Sequence, residues 1–345
     1  MDIVLTYSGS KRLKYLLRNI HYLKHNFPSH NLTLIVDDQR SFNFYSKHVN
    51  CVLAENPSPN MKSLFSKLSH DETFWDGFWY RTLKRFFMLE EFLRKTPKTP
   101  ILHIESDVLL LPNFPFDDFR QITNGLAFPV ISEDLGVASV LYIPELKHLT
   151  EFLDFCHDIS QNSPRETDMT LLAKFAKFSR NALVLPTLLG SQIKLLGQQS
   201  LELRSEFTNQ KLFRGLFDGA TYGQFLFGID PRNNLGRRSL FIQYAHHFAK
   251  PRVMQFCLAN QKSGFSLQIG IQDDTTYPLY CLHIHSKDLR VFDIESLKVR
   301  KIINKRIYQA KKGEIKNEYV FKLFISEFSS FGRAIIHKLL HFLDS

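Results

Sequence analysis

The sequence has few cysteines and no long hydrophobic run, and both shortages limit what the protein can be. Its 345 residues include four cysteines, none of them in a C-x-x-C pair. That usage speaks against a disulfide framework or a cysteine zinc site and predicts free thiols in a reducing compartment. No segment approaches the ~20 consecutive apolar residues of a membrane-spanning helix. The first residues, Met1 to Thr6, lack the basic start and apolar stretch of a signal peptide, so a cytoplasmic location is expected.

Acidic residues are also scarce relative to basic ones. There are 34 Asp and Glu against 44 Lys and Arg, which gives a formal net charge of +10 and a pI near 9.3. This balance indicates an anionic partner, such as a nucleotide diphosphate, a membrane surface, an acidic glycan or nucleic acid. The hydrophobic content of 44% is typical of a folded globular protein.

The order of apolar segments predicts an α/β fold with a mostly parallel sheet flanked by helices. Residues 3–7 and 32–36 are predicted strands, and between them leucine and isoleucine recur on one helical face up to Pro28. This strand–helix–strand order favours parallel pairing, with ligands at the carboxyl ends of the strands. Further along, we predict a helix at 74–94, strands at 101–111, 125–130 and 137–143, mainly helices from about residue 150, an ordered loop at 216–234 and a strand at 278–285.

The most informative motif interrupts the predicted strand at 101–111. Glu105, Ser106 and Asp107 follow an apolar run, and apolar residues resume at once. With side chains alternating along a strand, Glu105 and Asp107 point to the same side. Two carboxylates on one face suit a hard divalent cation such as Mg²⁺ or Mn²⁺. The alternative is an ordinary acidic corner at the end of a strand.

A second motif lies in the late strand, at residues 281–287 (CLHIHSK). Leu282 and Ile284 alternate with His283 and His285, so both imidazoles are predicted to lie on one side. An imidazole ligand would favour Mn²⁺ over Mg²⁺. For either histidine the alternative is a buried core residue.

The predicted helix at 74–94 carries a third signal. Arg81, Lys84 and Arg85 lie at positions i, i+3 and i+4 and share one face of the helix. A basic face directed at the acidic strand would neutralise a diphosphate, and arginine can grip phosphate with two parallel hydrogen bonds. The alternative is a solvated basic face.

These motifs together resemble those of GT-A glycosyltransferases, over roughly residues 1–290. In that family, a D-x-D element at a strand end holds the metal that bridges the diphosphate of a nucleotide sugar. Here the first position is Glu105, a departure that leaves Asp107 as the safer ligand. The resemblance implies a nucleotide-binding half at 1–120, an acceptor half at 121–290 and a bound Mn²⁺ or Mg²⁺.

The resemblance also implies roles for individual side chains. One of His283 and His285 would bind the metal, with His285 the first choice because of its position at the strand end, and Lys287 would contact the leaving diphosphate. Asp168, at the start of a helix, is the implied base, and Asp218 would bond a sugar hydroxyl. The alternatives are a helix cap at Asp168 and a rigid turn at Asp218. Contacts to the nucleotide sugar are implied for Tyr7, Ser8, Asp37, Asp38, Arg81, Arg85 and Glu105.

The last part of the chain, residues 291–345, is predicted to be a basic helical tail. Eight Lys and Arg lie between Lys298 and Lys316, against the single acid Glu314, and apolar residues then recur three or four apart between Phe321 and Phe342. This pattern is typical of a helix that associates with an anionic membrane surface. The alternative is a helix that packs back on the globular domain.

The sequence therefore predicts a metal-dependent glycosyltransferase of hexosyltransferase type, acting from a nucleotide diphosphate sugar on a glycan or lipid-linked acceptor. The donor, the linkage and the stereochemistry stay open. The alternatives are a non-catalytic protein that binds an anionic membrane or nucleic acid, and a nucleotidyltransferase of related fold. The single glycine in residues 8–12 disfavours a nucleotidyltransferase phosphate loop. Nucleic acid is not expected as a partner, because the sequence contains no recognised nucleic-acid-binding motif.

Overall fold

The computed structural model describes residues 1–54, 59–70, 77–96, 99–188, 212–228, 255–261, 264–270, 276–287 and 296–311. Within them the predicted α/β fold is confirmed: a central, mostly parallel sheet is flanked by helices. The first half contains β1 (Asp2–Tyr7), α1 (Lys14–Asn26), β2 (Leu32–Val36), α2 (Gln39–Tyr45), β3 (Asn50–Leu53), α3 (Pro59–Lys67), α4 (Phe78–Lys95), β4 (Ile101–Ile104), β5 (Val108–Leu110), α5 (Phe116–Phe119), β6 (Leu126–Ser132), β7 (Leu135–Gly136) and β8 (Val140–Ile143). The second half contains α6 (Leu146–Asn162), α7 (Asp168–Phe178), β9 (Ala182–Leu185), α8 (Thr221–Phe227), β10 (Gln255–Gln261), β11 (Gly264–Gly270), β12 (Thr276–Leu279), β13 (Cys281–His283) and α9 (Ser296–Lys311).

The main sheet brings the carboxyl ends of its parallel strands to one edge. Its strands lie in the order β3–β2–β1–β4–β8–β6–β7, with β9 beside β6. β3, β2, β1 and β4 are parallel, whereas β8 is antiparallel to both β4 and β6. Tyr7, Asp37 and Glu105 stand at or just after the ends of β1, β2 and β4, so they lie at the same edge.

Two hydrophobic clusters cover the two faces of this sheet. Leu5 of β1 belongs to the first cluster with Leu16 and Ile20 of α1, and Val4 belongs to the second with residues of α4, α6 and α7. Because both faces are covered, β1 and β4 are apolar on both sides and read as continuous hydrophobic runs in the sequence. We call the helices over the first cluster, which include α1 and α2, the first layer, and α3, α4, α6 and α7 the second layer.

The predicted strand at 101–111 is in fact two strands joined by a turn. β4 belongs to the main sheet, whereas β5 pairs with β13 in a separate two-stranded sheet. The Val108 N–H donates to the carbonyl of Glu105 at 3.0 Å and closes the turn. Glu105 and Asp107 therefore stand in a tight turn and not on an alternating strand. We call residues 105–107 the acidic turn.

The predicted strand at 278–285 is divided in the same way, into β12 and β13. β13 runs antiparallel to β5, with Leu282 opposite Leu109 and His283 opposite Val108. The Ile284 N–H then donates to the carbonyl of Asp107 at 2.8 Å. This pairing sets the late strand against the acidic turn.

Two other regions differ from the sequence prediction. β10 and β11 lie in a region that was expected to be mainly helical, and they form an antiparallel sheet with β12. Helix α8 occupies part of the expected loop at 216–234, of which residues 229–234 lie outside the described ranges. α8 forms because the Asp218 carboxylate accepts hydrogen bonds from the N–H groups of Tyr222 and Gly223 at its start.

The described part of the basic tail is helix α9. Its Ile303 and Ile307 are buried, whereas Lys301 and Lys305 are exposed. The predicted amphipathic helix beyond it falls at 312–345, outside the described residues. Among the helices that the structure describes, none is long and apolar enough to cross a membrane. All four cysteines are free thiols; Cys156 and Cys281 are buried, whereas Cys51 and Cys257 are half-buried.

Helix α1 anchors the acidic turn through a fully buried side chain. The Asn19 amide donates to the carbonyls of Ser106 and Val108, each at 3.0 Å. One turn further along, the Tyr22 hydroxyl donates to the carbonyl of Leu110 at 2.8 Å. Both side chains are fully buried. The first layer therefore fixes the position of the acidic turn as well as covering the sheet.

We expect Asn19→Ala to lower the free energy of unfolding by roughly 1–3 kcal/mol, because two buried carbonyls lose their donor. Asn26→Ala is the matched control: its amide bonds only to Tyr22 O within α1, at a partly exposed position. Urea denaturation of both variants provides the measurement. Equal losses in the two variants would show that Asn19 has no special anchoring role.

Candidate functional site

Three side chains form a cluster at the carboxyl edge of the sheet. Nε2 of His283 lies 3.2 Å from Oε2 of Glu105 and 3.5 Å from Oδ1 of Asp107. One potential ligand atom from each residue lies within 4.8 Å of the others, and no second group of this kind occurs among the described residues. The acidic turn and the late strand therefore meet in one largely buried site.

The residues just before α8 and at its start hold His283. Its Nδ1 lies 2.5 Å from the carbonyl oxygen of Gly219, and its backbone N–H donates to Asp218 at 2.9 Å. Because a carbonyl can only accept, Nδ1 carries a proton, and Nε2 is the ring atom that faces the two carboxylates. This position of Nε2 is favourable only with a cation or a proton between it and the carboxylates. This is the orientation in which histidine binds a metal.

The residues present fit a divalent cation. Oε2 of Glu105 is buried and accepts no hydrogen bond from the residues that the structure describes. Three carboxylates in and beside the cluster (Glu105, Asp107 and Asp168) pair with Arg85 and Lys287, so one negative charge is left to be balanced by a proton on His283 or by a bound cation. Two carboxylate oxygens and one imidazole nitrogen form a mixed donor set that suits Mn²⁺ better than Mg²⁺.

Arg85 joins the acidic turn to the start of α7. Its guanidinium pairs with Glu105 through Nη1 and with Asp168 through Nη2, and its Nε donates to the carbonyl of Thr82 at 2.6 Å. Burial alone would raise the pKa of Glu105, but Arg85 and His283 hold that pKa well below its ordinary value. The guanidinium pairs with two carboxylates, a geometry that fits a positioning role for Arg85, and its predicted phosphate contact stays a prediction.

Asp168 reaches the same cluster through Arg85. The N-cap of α7 is Thr167, whose Oγ1 accepts the Thr170 N–H at 3.2 Å, so Asp168 is not the cap. The Asp168 side chain is only 3% exposed. Burial raises the pKa of this carboxyl, and Arg85 opposes the shift. Its assignment as the base stays a prediction.

Lys287 lies on another side of the cluster. Its ammonium group pairs with Oδ2 of Asp107 and stands 5.4 Å from the ring centroid of Tyr15. Burial lowers the pKa of Lys287 to about 8, although Glu105 opposes the shift. The backbone of Lys287 has φ of 53°, which non-glycine residues seldom adopt, and its N–H closes a turn onto the carbonyl of Ile284 at 2.9 Å.

His285 lies beside the cluster. Its ring packs on the ring of His283, with centroids 3.9 Å apart and planes inclined by 38°. Both imidazoles therefore project to the same side. His283 contacts both Glu105 and Asp107, which supports it as a metal ligand, and the first choice made from the sequence, His285, stays a prediction.

Asp37 organises a second group of residues at the same edge. Its Oδ2 accepts hydrogen bonds from the Ser8 hydroxyl at 2.5 Å and from Lys84 Nζ at 2.6 Å, and its Oδ1 accepts the Gly9 N–H at 2.9 Å. Burial alone would raise the pKa of Asp37, but these bonds hold it below the ordinary 3.8. The carboxylate thus fixes the loop that follows β1.

The remaining residues predicted to bind the nucleotide surround this loop. The Tyr7 hydroxyl donates to the carbonyl of Lys11 at 2.6 Å, and burial raises the pKa of Tyr7 to about 12. Asp38 caps α2, accepting the N–H groups of Arg40 and Ser41. Arg81 is exposed on α4 and lies near Gly9. Ligand contacts for this group stay predictions.

Asp218 is fully buried, and its carboxylate accepts three backbone N–H groups. Tyr222 bonds to Oδ1 at 2.9 Å, and Gly223 and His283 bond to Oδ2 at 2.6 and 2.9 Å. This arrangement fits a positioning role for Asp218 better than the predicted contact with a sugar hydroxyl. The carboxylate ties the start of α8 to the backbone of His283.

Sequence reasoning missed two glycines that allow this close packing. A Cβ on Gly223 would lie 2.1 Å from the carbonyl oxygen of His283, and one on Gly219 would lie 2.4 Å from Cγ2 of Ile131. Only glycine permits such an approach between α8, β13 and β6. In the sequence, these glycines signal only a turn, because the strand that packs against them lies far along the chain.

No protein-family model matches the chain, and no curated protein matches it. Solved structures similar to it include the galactosyltransferase LgtC in complex with donor and acceptor sugar analogs, at 14% identity over 61% of this chain and 83% of that chain, with a TM-score of 0.42. GlyE, a glycosyltransferase of Streptococcus pneumoniae TIGR4, is similar at 17% identity over 61% of this chain and 50% of that chain, with a TM-score of 0.34. A glycosyltransferase involved in glycosylation of the major capsid of PBCV-1 is similar at 13% identity over 53% and 81% of the two chains, with a TM-score of 0.31. The similarity concerns the fold, so activity has to be inferred from the residues of this chain.

We expect Gly223→Ala to weaken Mn²⁺ binding by about 10- to 100-fold, because the added methyl group displaces the backbone of His283. Gly215→Ala is the matched control, since its Cβ would meet Pro278 O at 2.4 Å, against β12 and not against His283. Mn²⁺ titration followed by electron paramagnetic resonance measures the affinity, and thermal unfolding measures the stability. If both variants lost stability but neither lost affinity, the packing around His283 would have no bearing on metal binding.

We also expect a pH-dependent stability contribution from Asp37. Since the folded pKa lies below 3.8, the contribution is complete above that ordinary value and is lost as the pH falls towards the folded pKa. The stability gap between wild type and Asp37→Asn should therefore be larger at pH 7 than at pH 3 in urea denaturation. Asp117→Asn, at a side chain that is 91% exposed, should show no such change. If the difference in stability between wild type and Asp37→Asn were the same at pH 7 and pH 3, the lowered pKa assigned to Asp37 would be wrong.

Proposed function

We propose that the protein is a metal-assisted glycosyltransferase of hexosyltransferase type, which transfers a sugar from a nucleotide diphosphate sugar to a glycan or lipid-linked acceptor. One observation carries the proposal: two carboxylates, an oriented imidazole and an ammonium group converge at the carboxyl edge of the parallel strands. Open α/β sheets bind their ligands at this edge. A cation held there, with Lys287 beside it, suits an anionic diphosphate.

Asp107, His283 and Glu105 are the residues that would hold Mn²⁺ or Mg²⁺. The bound ion supplies positive charge that stabilises the departing diphosphate. Arg85 occupies Oε1 of Glu105, so Oε2 is the oxygen left to face the ion. Gly219 keeps the proton on Nδ1 of His283, which leaves Nε2 as the ligand atom.

In this proposal the nucleotide lies along the edge formed by β1, β2 and α4. Lys287 contacts the diphosphate, and Arg81 and Lys84 add positive charge on the side of α4. Tyr7 and the loop fixed by Asp37 line the base and ribose. The contribution of these residues to catalysis is electrostatic: donors held in place before the reaction stabilise charge that develops on the leaving group.

An acceptor hydroxyl must lose its proton as it attacks the sugar, and an inverting enzyme places a carboxylate within hydrogen-bond reach for this purpose. Asp168 is the carboxylate that we assign to this step, because it adjoins the cluster through Arg85 and has a raised pKa. Asp218 is left out of the chemistry, since three backbone N–H groups already use its oxygens.

We place the protein in the cytoplasm and at the inner membrane surface, where a lipid-linked acceptor would be presented. The exposed Lys301 and Lys305 of α9 support this location, because basic helices are drawn to anionic lipid surfaces. The remainder of the predicted amphipathic tail lies outside the described residues.

The decisive experiment compares Asp107→Ala, His283→Ala and His285→Ala. We expect the first two to weaken Mn²⁺ binding by at least about 100-fold and to abolish Mn²⁺-dependent hydrolysis of nucleotide diphosphate sugars, because each removes an inner ligand. His285→Ala should have a smaller effect. Mn²⁺ titration measures the metal affinity. Hydrolysis of a panel of nucleotide diphosphate sugars, assayed with and without Mn²⁺, measures the activity.

Asp117→Ala is the matched control for Asp107→Ala, because it removes an exposed carboxylate far from the cluster on α5. Circular dichroism establishes that each variant is folded. Full Mn²⁺-dependent turnover in folded Asp107→Ala would refute the proposed metal site. Metal binding without turnover of any nucleotide sugar would refute glycosyl transfer while leaving the metal site intact.

A further inference from the structure

The first 54 residues have an unusual charge distribution. They contain seven Lys and Arg and four His, but their only acids are Asp2, Asp37 and Asp38. Asp37 is paired with Lys84, and Asp38 caps α2. The helices α1 and α2 themselves contain no acid at all. The Lys and Arg residues in this part of the chain therefore outnumber the acids by more than two to one.

The structure collects this charge on one side of the molecule. On α1, Lys14, Arg18, His21 and His25 follow one another at helical spacing, on the side opposite the buried Leu16 and Leu23. All four are exposed or half-buried. The basic residues of α1 thus form a single stripe that faces away from the sheet.

The end of α2 lies beside this stripe. The Arg12 guanidinium stands 4.7 Å from the ring centroid of Phe44, and Lys24 Nζ donates to the carbonyl of His48 at 3.1 Å. The rings of His21 and His48 are 5.6 Å apart. Burial lowers the pKa of His21, and His48 and Lys24 lower it further, as expected in a positive local potential. We define the cationic face as the exposed residues Arg12, Lys14, Arg18, Lys24, Arg40 and Lys47.

One helix of the opposite layer, α6, exposes several carboxylates. On α6, Glu151, Asp154 and Asp158 are exposed, and its single Lys147 pairs with Glu145 at 3.0 Å. α1 packs on the first hydrophobic cluster and α6 on the second, so the sheet lies between them. The basic stripe of α1 and the exposed carboxylates of α6 thus lie on opposite sides of the sheet, and an uneven charge distribution of this kind orients a protein on a charged plane.

We propose that the cationic face docks the protein on an anionic lipid surface. Lys14, Arg18 and Lys24 lie on α1 and Arg40 lies on α2, whereas Arg12 and Lys47 lie in the segments next to these helices. Such a spread of cations suits a plane of headgroups. The aromatic rings of the face, Phe42 and Phe44, are half-buried against the first cluster, so they do not offer the exposed stacking platform that single-stranded nucleic acid uses. Juxtamembrane Lys and Arg are each attracted to anionic leaflets, and the attraction falls off within a Debye length.

The cationic face also adjoins the candidate active site. Tyr15 of α1, next to Lys14, stands 5.4 Å from Lys287, which pairs with Asp107. A protein docked through this face would thus hold the carboxyl edge of its sheet close to the headgroup region. Docking itself does not depend on glycosyl transfer, since it is measured by binding alone.

The test reverses charge on the cationic face and compares the result with a matched variant. The face variant carries Lys14→Glu, Lys24→Glu and Lys47→Glu. The control variant carries Lys62→Glu, Arg165→Glu and Arg180→Glu, at exposed positions on α3 and in the segments before and after α7. Each exchange changes the charge by two units, so both full-length variants have the same formal net charge of +4 in place of +10. Both retain the basic tail.

Co-sedimentation is measured with vesicles of phosphatidylglycerol and phosphatidylcholine, and with phosphatidylcholine alone, at two salt concentrations. We expect wild type and the control variant to bind the anionic vesicles, and the face variant to bind at least about tenfold more weakly. Wild-type binding should fall at higher salt and be weak on neutral vesicles.

Equal losses in the two variants would show that net charge alone drives binding and would overturn the proposal. Unchanged binding of the face variant would assign docking to another surface, such as the tail, and would also overturn it. A wild-type protein that bound heparin or DNA but not anionic vesicles would identify the partner as a soluble polyanion. Mn²⁺-dependent donor hydrolysis, measured on the same samples, reports separately on the proposed activity.

Discussion

The pairing of β13 with β5 is the interaction on which the candidate site depends. It sets His283 opposite Val108, one residue beyond the acidic turn, and it adds the bond between the Ile284 N–H and the Asp107 carbonyl. Without this pairing, Glu105 and Asp107 would form an acidic corner with no nitrogen ligand and no Lys287. The site is therefore a product of long-range strand pairing, and no local segment contains it.

Burial of so many charges is possible because each carboxylate has a defined counterpart. Burying an unpaired charge is costly, and removing one partner of a buried pair leaves that cost uncompensated. Arg85 forms ion pairs with two carboxylates, Glu105 and Asp168, and Lys287 forms an ion pair with Asp107. The negative charge that remains lies at Oε2 of Glu105, next to Nε2 of His283. The electrostatics and the hydrogen bonds thus indicate the same position for a cation.

Much of this arrangement was predictable from the sequence, but only where the signal was local. The apolar runs of β1, β2 and β4 identify the parallel strands, and the acidic turn stands out because carboxylates interrupt such a run. The role of Arg85 was not predictable, since a basic residue on a helix face looks the same whether it meets solvent or two carboxylates. The hydrogen bonds of Asp218 were not predictable for a related reason: its partners include the backbone of His283, which sequence spacing does not reveal.

The register of β13 against β5 determines where His283 and His285 lie relative to the acidic turn. The two residues alternate in the same way and project to the same side, so periodicity cannot separate them. A shift of two residues along β5 would keep every side chain on its face and would exchange one imidazole for the other. Asp218 and Gly223 prevent that shift: the first bonds to the His283 N–H, and the second leaves no room for a side chain against the His283 carbonyl. Two residues that touch no substrate in our proposal therefore hold His283 against the carboxylates.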